Sequence, residues 1–73
     1  MNEKQLLDLW EARFKKILDL EEGAIRFYKR ILKQHAHIFY GSKVKQIIRK
    51  MIRDEIRHAD VAGRLLEIVK ARR

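Results

Sequence analysis

Apolar residues recur in steps of three and four along two long segments of the chain. This spacing is typical of one face of an amphipathic α-helix. The first segment carries the stripe Leu7, Trp10, Phe14, Ile17, Glu21, Ala24, Tyr28, Ile31 and His35. The second carries the stripe Val44, Ile48, Met51, Glu55, His58, Ala62, Leu65 and Val69. Both are heptad-like, and together they predict two helices that pack along their length.

Capping residues place the ends of the two helices. Asn2 is a good N-cap, so the first helix is expected from about residue 3 to about residue 37. Gly41 can end a helix in the left-handed conformation and Ser42 can begin the next one, which puts the turn at about 38–42. The second helix is expected over about 43–70. The prediction is an all-α, antiparallel two-helix hairpin forming a single domain over residues 1–73.

The size of the chain limits what this hairpin can do alone. It has 73 residues, of which 47% are hydrophobic, and two helices share only one seam. A domain this small often needs a metal, a disulfide or a partner subunit. Because the chain has no cysteine, disulfides and thiolate metal sites are excluded. We therefore expect two hairpins to associate into a four-helix bundle, as a homodimer or a larger homo-oligomer.

Charge and hydropathy bear on location and partners. The net charge of +8 raises the question of a polyanionic partner, but a charged, Lys/Arg-rich thermostable surface looks the same. Because the cations are expected to be mixed with acids along both helices, we expect no nucleic-acid partner. No stretch approaches the ~20 apolar residues needed to cross a bilayer. The first residues lack the apolar run of a signal peptide, which predicts a cytoplasmic protein without membrane contact.

Three ionisable side chains interrupt the apolar stripes near their middle: Glu21, Glu55 and His58. Carboxylates in an apolar seam cost free energy unless a cation or hydrogen bonds compensate them. At 1.5 Å per residue, Glu21 lies about 25 Å before the turn, and Glu55 and His58 about 20 and 24 Å after it. The hairpin should therefore bring all three to one level. The alternatives are a slipped stripe, in which Glu22 replaces Glu21, and a solvated Glu-x-x-His pair.

One hairpin supplies three ligands, which is too few for two metal ions. Two hairpins related by a two-fold axis supply four carboxylates and two imidazoles, which is the ligand set of di-iron carboxylate bundles. Four carboxylates offset the charge of two divalent cations. Mixed oxygen and nitrogen ligation suits iron or manganese, with zinc as an alternative.

Two segments resemble the rubrerythrin and ferritin-like superfamily. They are Glu21-Glu-Gly-Ala24-Ile-Arg-Phe27-Tyr28 and Asp54-Glu55-Ile-Arg-His58-Ala59. The two-helix length resembles most the encapsulated ferritins, whose hairpins pair around a di-iron ferroxidase centre. The resemblance implies Glu21 and His58 as terminal ligands, Glu55 as a bridging ligand, two iron ions per dimer, and oxidation of Fe(II) by O2 or peroxide. It also implies an encapsulin shell as partner, although the ending Ile-Val-Lys-Ala-Arg-Arg shows no evident tail for addressing one.

Two further residues are candidates for supporting roles, and a second function stays open. The Tyr28 hydroxyl could hydrogen-bond a ligand carboxylate or take part in redox chemistry, or Tyr28 could simply pack in the core. Asp54 could orient His58 through its free ring nitrogen, or be an ordinary surface charge. The competing function is a non-enzymatic, basic two-helix association module that binds nucleic acid or another protein.

Overall fold

The computed structural model describes residues 1–39 and 43–72, and helices are the only regular secondary structure within them. Helix α1 spans Glu3–Gln34, a short helix α2 spans Ala36–Phe39, and helix α3 spans Lys43–Ala71. Helices α1 and α3 run antiparallel, since Glu3 pairs with Arg72 at one end. They form a rod of 54 × 16 × 15 Å. The prediction of an all-α helical hairpin is confirmed for the single chain.

The start of α1 follows its sequence signal. The Gln5 backbone N–H donates to the Asn2 Oδ1 at 2.8 Å, and the Asn2 backbone N–H donates to the Gln5 Oε1 at 3.0 Å. This reciprocal capping box satisfies two backbone donors that the first helical turn leaves unpaired. Glu3 adds a negative charge near the positive end of the helix dipole.

Helix α1 ends earlier than expected. We predicted a helix to about residue 37, but α1 ends at Gln34, and residues 36–39 form a separate helical turn. His35 is the C-cap, with φ −119° and ψ 27°, and its N–H still donates to the Ile31 carbonyl at 2.9 Å. The capping roles predicted for Gly41 and Ser42 lie outside the described residues. Helix α3 begins at Lys43, as predicted.

Three neighbouring columns of residues, each seven apart, decide how the helices pack. The central columns are Leu7, Phe14, Glu21 and Tyr28 on α1, and Ile48, Glu55, Ala62 and Val69 on α3. The inner columns, on the closed side of the hairpin, are Glu11, Leu18, Ile25 and Leu32, and Lys45, Ile52, Ala59 and Leu66. The open columns, on the other side, are Trp10, Ile17, Ala24 and Ile31, and Val44, Met51, His58 and Leu65.

The hairpin buries the central and inner columns. The best buried side chains are Ile52, Ala62 and Val69, at 8%, 3% and 8% exposure. The predicted stripes combined the central columns with the open columns. That prediction was wrong within one hairpin, because the central columns are buried together with the inner columns. Met51, expected inside, is 36% exposed, and its neighbour Ile52 is buried instead.

The open columns leave one long apolar surface on the hairpin, which we call the open face. Trp10 and Ile17 are 43% and 44% exposed there. Large apolar residues flank these columns on the same side: Leu6, Leu20, Phe27, Ile47, Val61 and Ile68. A groove lined by Trp10, Leu65 and Ile68 marks one end of this face. None of the described helices is both long and apolar enough to cross a membrane.

The column assignment predicts that replacing two isoleucines of α3 by alanine lowers the free energy of unfolding by different amounts. Ile52→Ala should lower the free energy of unfolding by about 2–5 kcal/mol, because it removes buried methyl groups and leaves a cavity in the seam. Ile56, at 47% exposure, serves as the matched control, and Ile56→Ala should cost far less. Urea denaturation followed by circular dichroism measures both. Equal costs would contradict the assignment of Ile52 to the closed side.

Candidate metal centre

Glu21, Glu55 and His58 meet at one level of the hairpin, as the helix lengths predicted. Each offers one ligand atom, and these atoms all lie within 4.8 Å of one another. Helix α1 contributes Glu21 and α3 contributes the other two, which are three residues apart and so project from one side of that helix. In the described part of the chain, no other group of three Asp, Glu or His side chains is drawn together in this way.

The three side chains differ in their access to solvent. The Glu21 side chain is 21% exposed and Glu55 is half-buried, since both belong to the central columns. The His58 side chain belongs to an open column and is 62% exposed. The carboxylates therefore form the floor of the site, and the imidazole stands at its rim, on the open face.

One carboxylate oxygen has no hydrogen-bond partner among the described residues. The Glu21 Oε2 is shielded from solvent and accepts no hydrogen bond. The His58 Nδ1 lies 3.9 Å away, which is too far for a hydrogen bond. Buried polar atoms in native proteins are almost always paired, and an unpaired one calls for a reason such as an unfilled ion site.

Asp54 and Tyr28, the residues proposed to support the site, contact other neighbours. The Asp54 carboxylate accepts a hydrogen bond from Arg57 three residues later, and its role towards His58 stays a prediction. Tyr28 is half-buried and packs edge-on against Phe27, with ring centroids 5.7 Å apart. Its hydroxyl makes no hydrogen bond to either site carboxylate, which agrees with the packing role.

At the level of the site, Glu21 and not Glu22 faces α3, as the stripe predicted. Glu22 is exposed, whereas Glu21 is half-buried beside the two ligands of α3. The slipped register that would have substituted Glu22 for Glu21 therefore does not occur.

The donor set fits a divalent first-row metal ion. Carboxylate oxygens and imidazole nitrogens bind such ions at about 2.0–2.2 Å, so neighbouring ligands of one ion lie about 3.0–3.5 Å apart. Ligand atoms spread over up to 4.8 Å would close around an ion with side-chain movements of about one ångström. The shielded Glu21 oxygen would gain the cationic partner that it lacks.

No family model, curated protein or solved structure matches this chain. The case for the site consequently depends on the geometry of these three side chains.

The unpaired oxygen predicts that the site weakens the metal-free protein. Glu21→Leu should raise the free energy of unfolding in the presence of a chelator by about 1–3 kcal/mol, the usual cost of an unsatisfied buried polar group. The remaining 21% exposure favours the lower end of that range. Glu22→Leu, at an exposed position, is the control and should change little. Denaturation curves would refute the prediction if Glu21→Leu destabilised the chelated protein.

Proposed function

We propose that this chain is a carboxylate metalloprotein of the ferritin-like type, in which two hairpins build a di-iron centre that oxidises Fe(II) with O2 or peroxide. The observation that carries the proposal is the convergence of Glu21, Glu55 and His58, with a shielded carboxylate oxygen that has no partner. An ordinary solvated cluster of charges would not bury such an oxygen in an apolar seam. Manganese and zinc are the alternative ions.

The open face supports the pairing of two hairpins. His58 shares its column with Met51 and Leu65, which are 36% and 37% exposed in the single chain. A contiguous apolar surface of this kind usually marks a contact site. If a second copy of the chain covers the open face, the His58 imidazoles of the two copies come together. The paired site then holds four carboxylates and two imidazoles, the inventory of di-iron bundles.

The side chains have separate tasks in this proposal. Glu21 and Glu55 hold negative charge where cations bind, and four such carboxylates across the pair offset two divalent ions. His58 contributes a ring nitrogen, which binds a metal ion only when the imidazole is neutral. The apolar side chains of the open face exclude water, which strengthens the electrostatic attraction at the site. Iron bound there would supply the capacity to pass electrons from Fe(II) to O2 or peroxide.

The competing proposal is an association module without a metal. The same open face would mediate its pairing, so oligomerisation alone does not separate the two functions. Metal stoichiometry does, because the module has no use for a carboxylate pair in its seam.

The first test replaces the ligands one at a time. Glu21→Ala, Glu55→Ala and His58→Ala should each abolish stoichiometric binding of Fe(II) or Mn(II), because the two-fold axis makes each change remove two of six ligands. Calorimetric titration of the chelated protein measures binding, and oxo-ferric absorbance after adding Fe(II) in air measures oxidation. Glu22→Ala is the control and should bind and oxidise normally. Full metal occupancy in Glu55→Ala would contradict the assignment.

The second test concerns the pairing surface. Ile17→Asp should dissociate the oligomer, because it places a charge in the middle of the open face. Ile56→Asp is a matched control: Ile56 is similarly exposed, at 47% against 44%, but lies outside the open face. Sedimentation velocity at micromolar concentration distinguishes the species. A wild-type protein that sediments as a stable monomer when loaded with metal would overturn the shared centre.

A further inference from the structure

The charges of this chain are strongly segregated, contrary to our expectation of a mixture. Residues 23–53 contain nine lysines and arginines and no aspartate or glutamate. The remaining residues contain nine cations and ten acids. The first segment thus carries +9 and the rest −1, which together give the net charge of +8. The basic character of the protein belongs to one segment.

The fold concentrates this segment at one end of the rod. The hairpin places the second half of α1 beside the first half of α3, so both contribute cations to what we call the turn end. Eight of its nine cations are exposed, and Lys45 is half-buried; the exposed ones are Arg26, Lys29, Arg30, Lys33, Lys43, Arg49, Lys50 and Arg53. A surface groove on α1 is lined by four of them together with Gln34.

Like charges are neighbours at this end. Arg26 and Arg30 are four residues apart on α1, as are Lys29 and Lys33. Such pairs destabilise an isolated helix through repulsion. In the other half of the hairpin, three arginines have acidic partners: Arg57 pairs with Asp54, Arg64 with Asp60, and Arg72 with Glu3. Residues 23–53 contain no acid for such pairs, so a partner that brings negative charge would relieve the repulsion at the turn end.

We propose that the turn end binds the phosphate backbone of nucleic acid. Rows of exposed arginines and lysines neutralise closely spaced phosphates and release their counterions, and arginine suits phosphate geometry in particular. A membrane surface fits less well, because interfacial binding needs apolar side chains that enter the bilayer beside the cations. Among the described side chains near the turn, the apolar ones, such as Phe27, Ile47 and Met51, belong to the open face and its flanks. The nucleic-acid site is independent of the metal centre.

The test is a salt titration of binding to labelled duplex and single-stranded DNA of mixed sequence, read by fluorescence anisotropy. Affinity should fall steeply between about 50 and 200 mM salt, as counterion release requires. Lys29→Gln/Lys33→Gln should weaken binding and make the slope of log K against log salt shallower by about 0.9 for each phosphate that is no longer neutralised. Lys15→Gln/Lys16→Gln removes the same charge from exposed positions of the mixed half and should leave affinity nearly unchanged.

Three outcomes would overturn the proposal. Wild-type protein could fail to bind DNA at the lowest salt, or both double variants could lose affinity equally, which would indicate non-specific attraction by net charge. Vesicles containing anionic phospholipid could also bind more tightly than DNA, which would make the partner a membrane. His58→Ala should retain its DNA affinity, and this result separates the nucleic-acid site from the metal proposal.

Discussion

When two helices pack together, each buries about two columns of its side chains against the other. The two long helices of this chain each carry three neighbouring columns that are largely apolar. The third column stays on the surface of the hairpin because a second helix can cover only one side of the central column. This constraint produces the open face, with Trp10 and Ile17 on one helix and Met51 and Leu65 on the other. It also fixes where His58 points, since its column is the one left uncovered.

The same geometry determines the solvent access of the three candidate ligands. Glu21 and Glu55 lie in the central columns, where packing against the neighbouring helix shields them from water. Apolar seam residues on both sides, Phe14 and Ala62 towards one end and Ile48 towards the other, hold the helices together across the polar interruption. The packing of these apolar residues thus offsets the free energy lost by burying the Glu21 oxygen without a hydrogen bond. Such a local violation of packing rules is characteristic of functional sites, which give up stability for chemistry.

Much of this arrangement could be predicted from the sequence, because the constant rise of a helix sets the common level of Glu21, Glu55 and His58. Periodicity could not show whether Met51 or Ile52 faces the neighbouring helix, since both are apolar and adjacent. The end of α1 could not be predicted either, because its C-cap is His35 and no glycine or proline marks it. The candidate partner Asp54 pairs with Arg57, one helical turn away. In the last two cases a short-range interaction decides the outcome, whereas the stripes report only long-range packing.

The separation of charge along the rod places two kinds of binding surface in one small hairpin. The acid-free segment begins just after Glu22 and ends just before Asp54, so the candidate ligands lie at its boundary. Arg53 is two residues from Glu55, about 3 Å along α3, and Arg26 is five residues from Glu21, about 7.5 Å along α1. Both distances are within the Debye length of about 8 Å at physiological salt, so these two arginines act on the carboxylates directly. The cations nearer the turn are farther away and largely screened, so a polyanion bound to them would have less effect on the carboxylates.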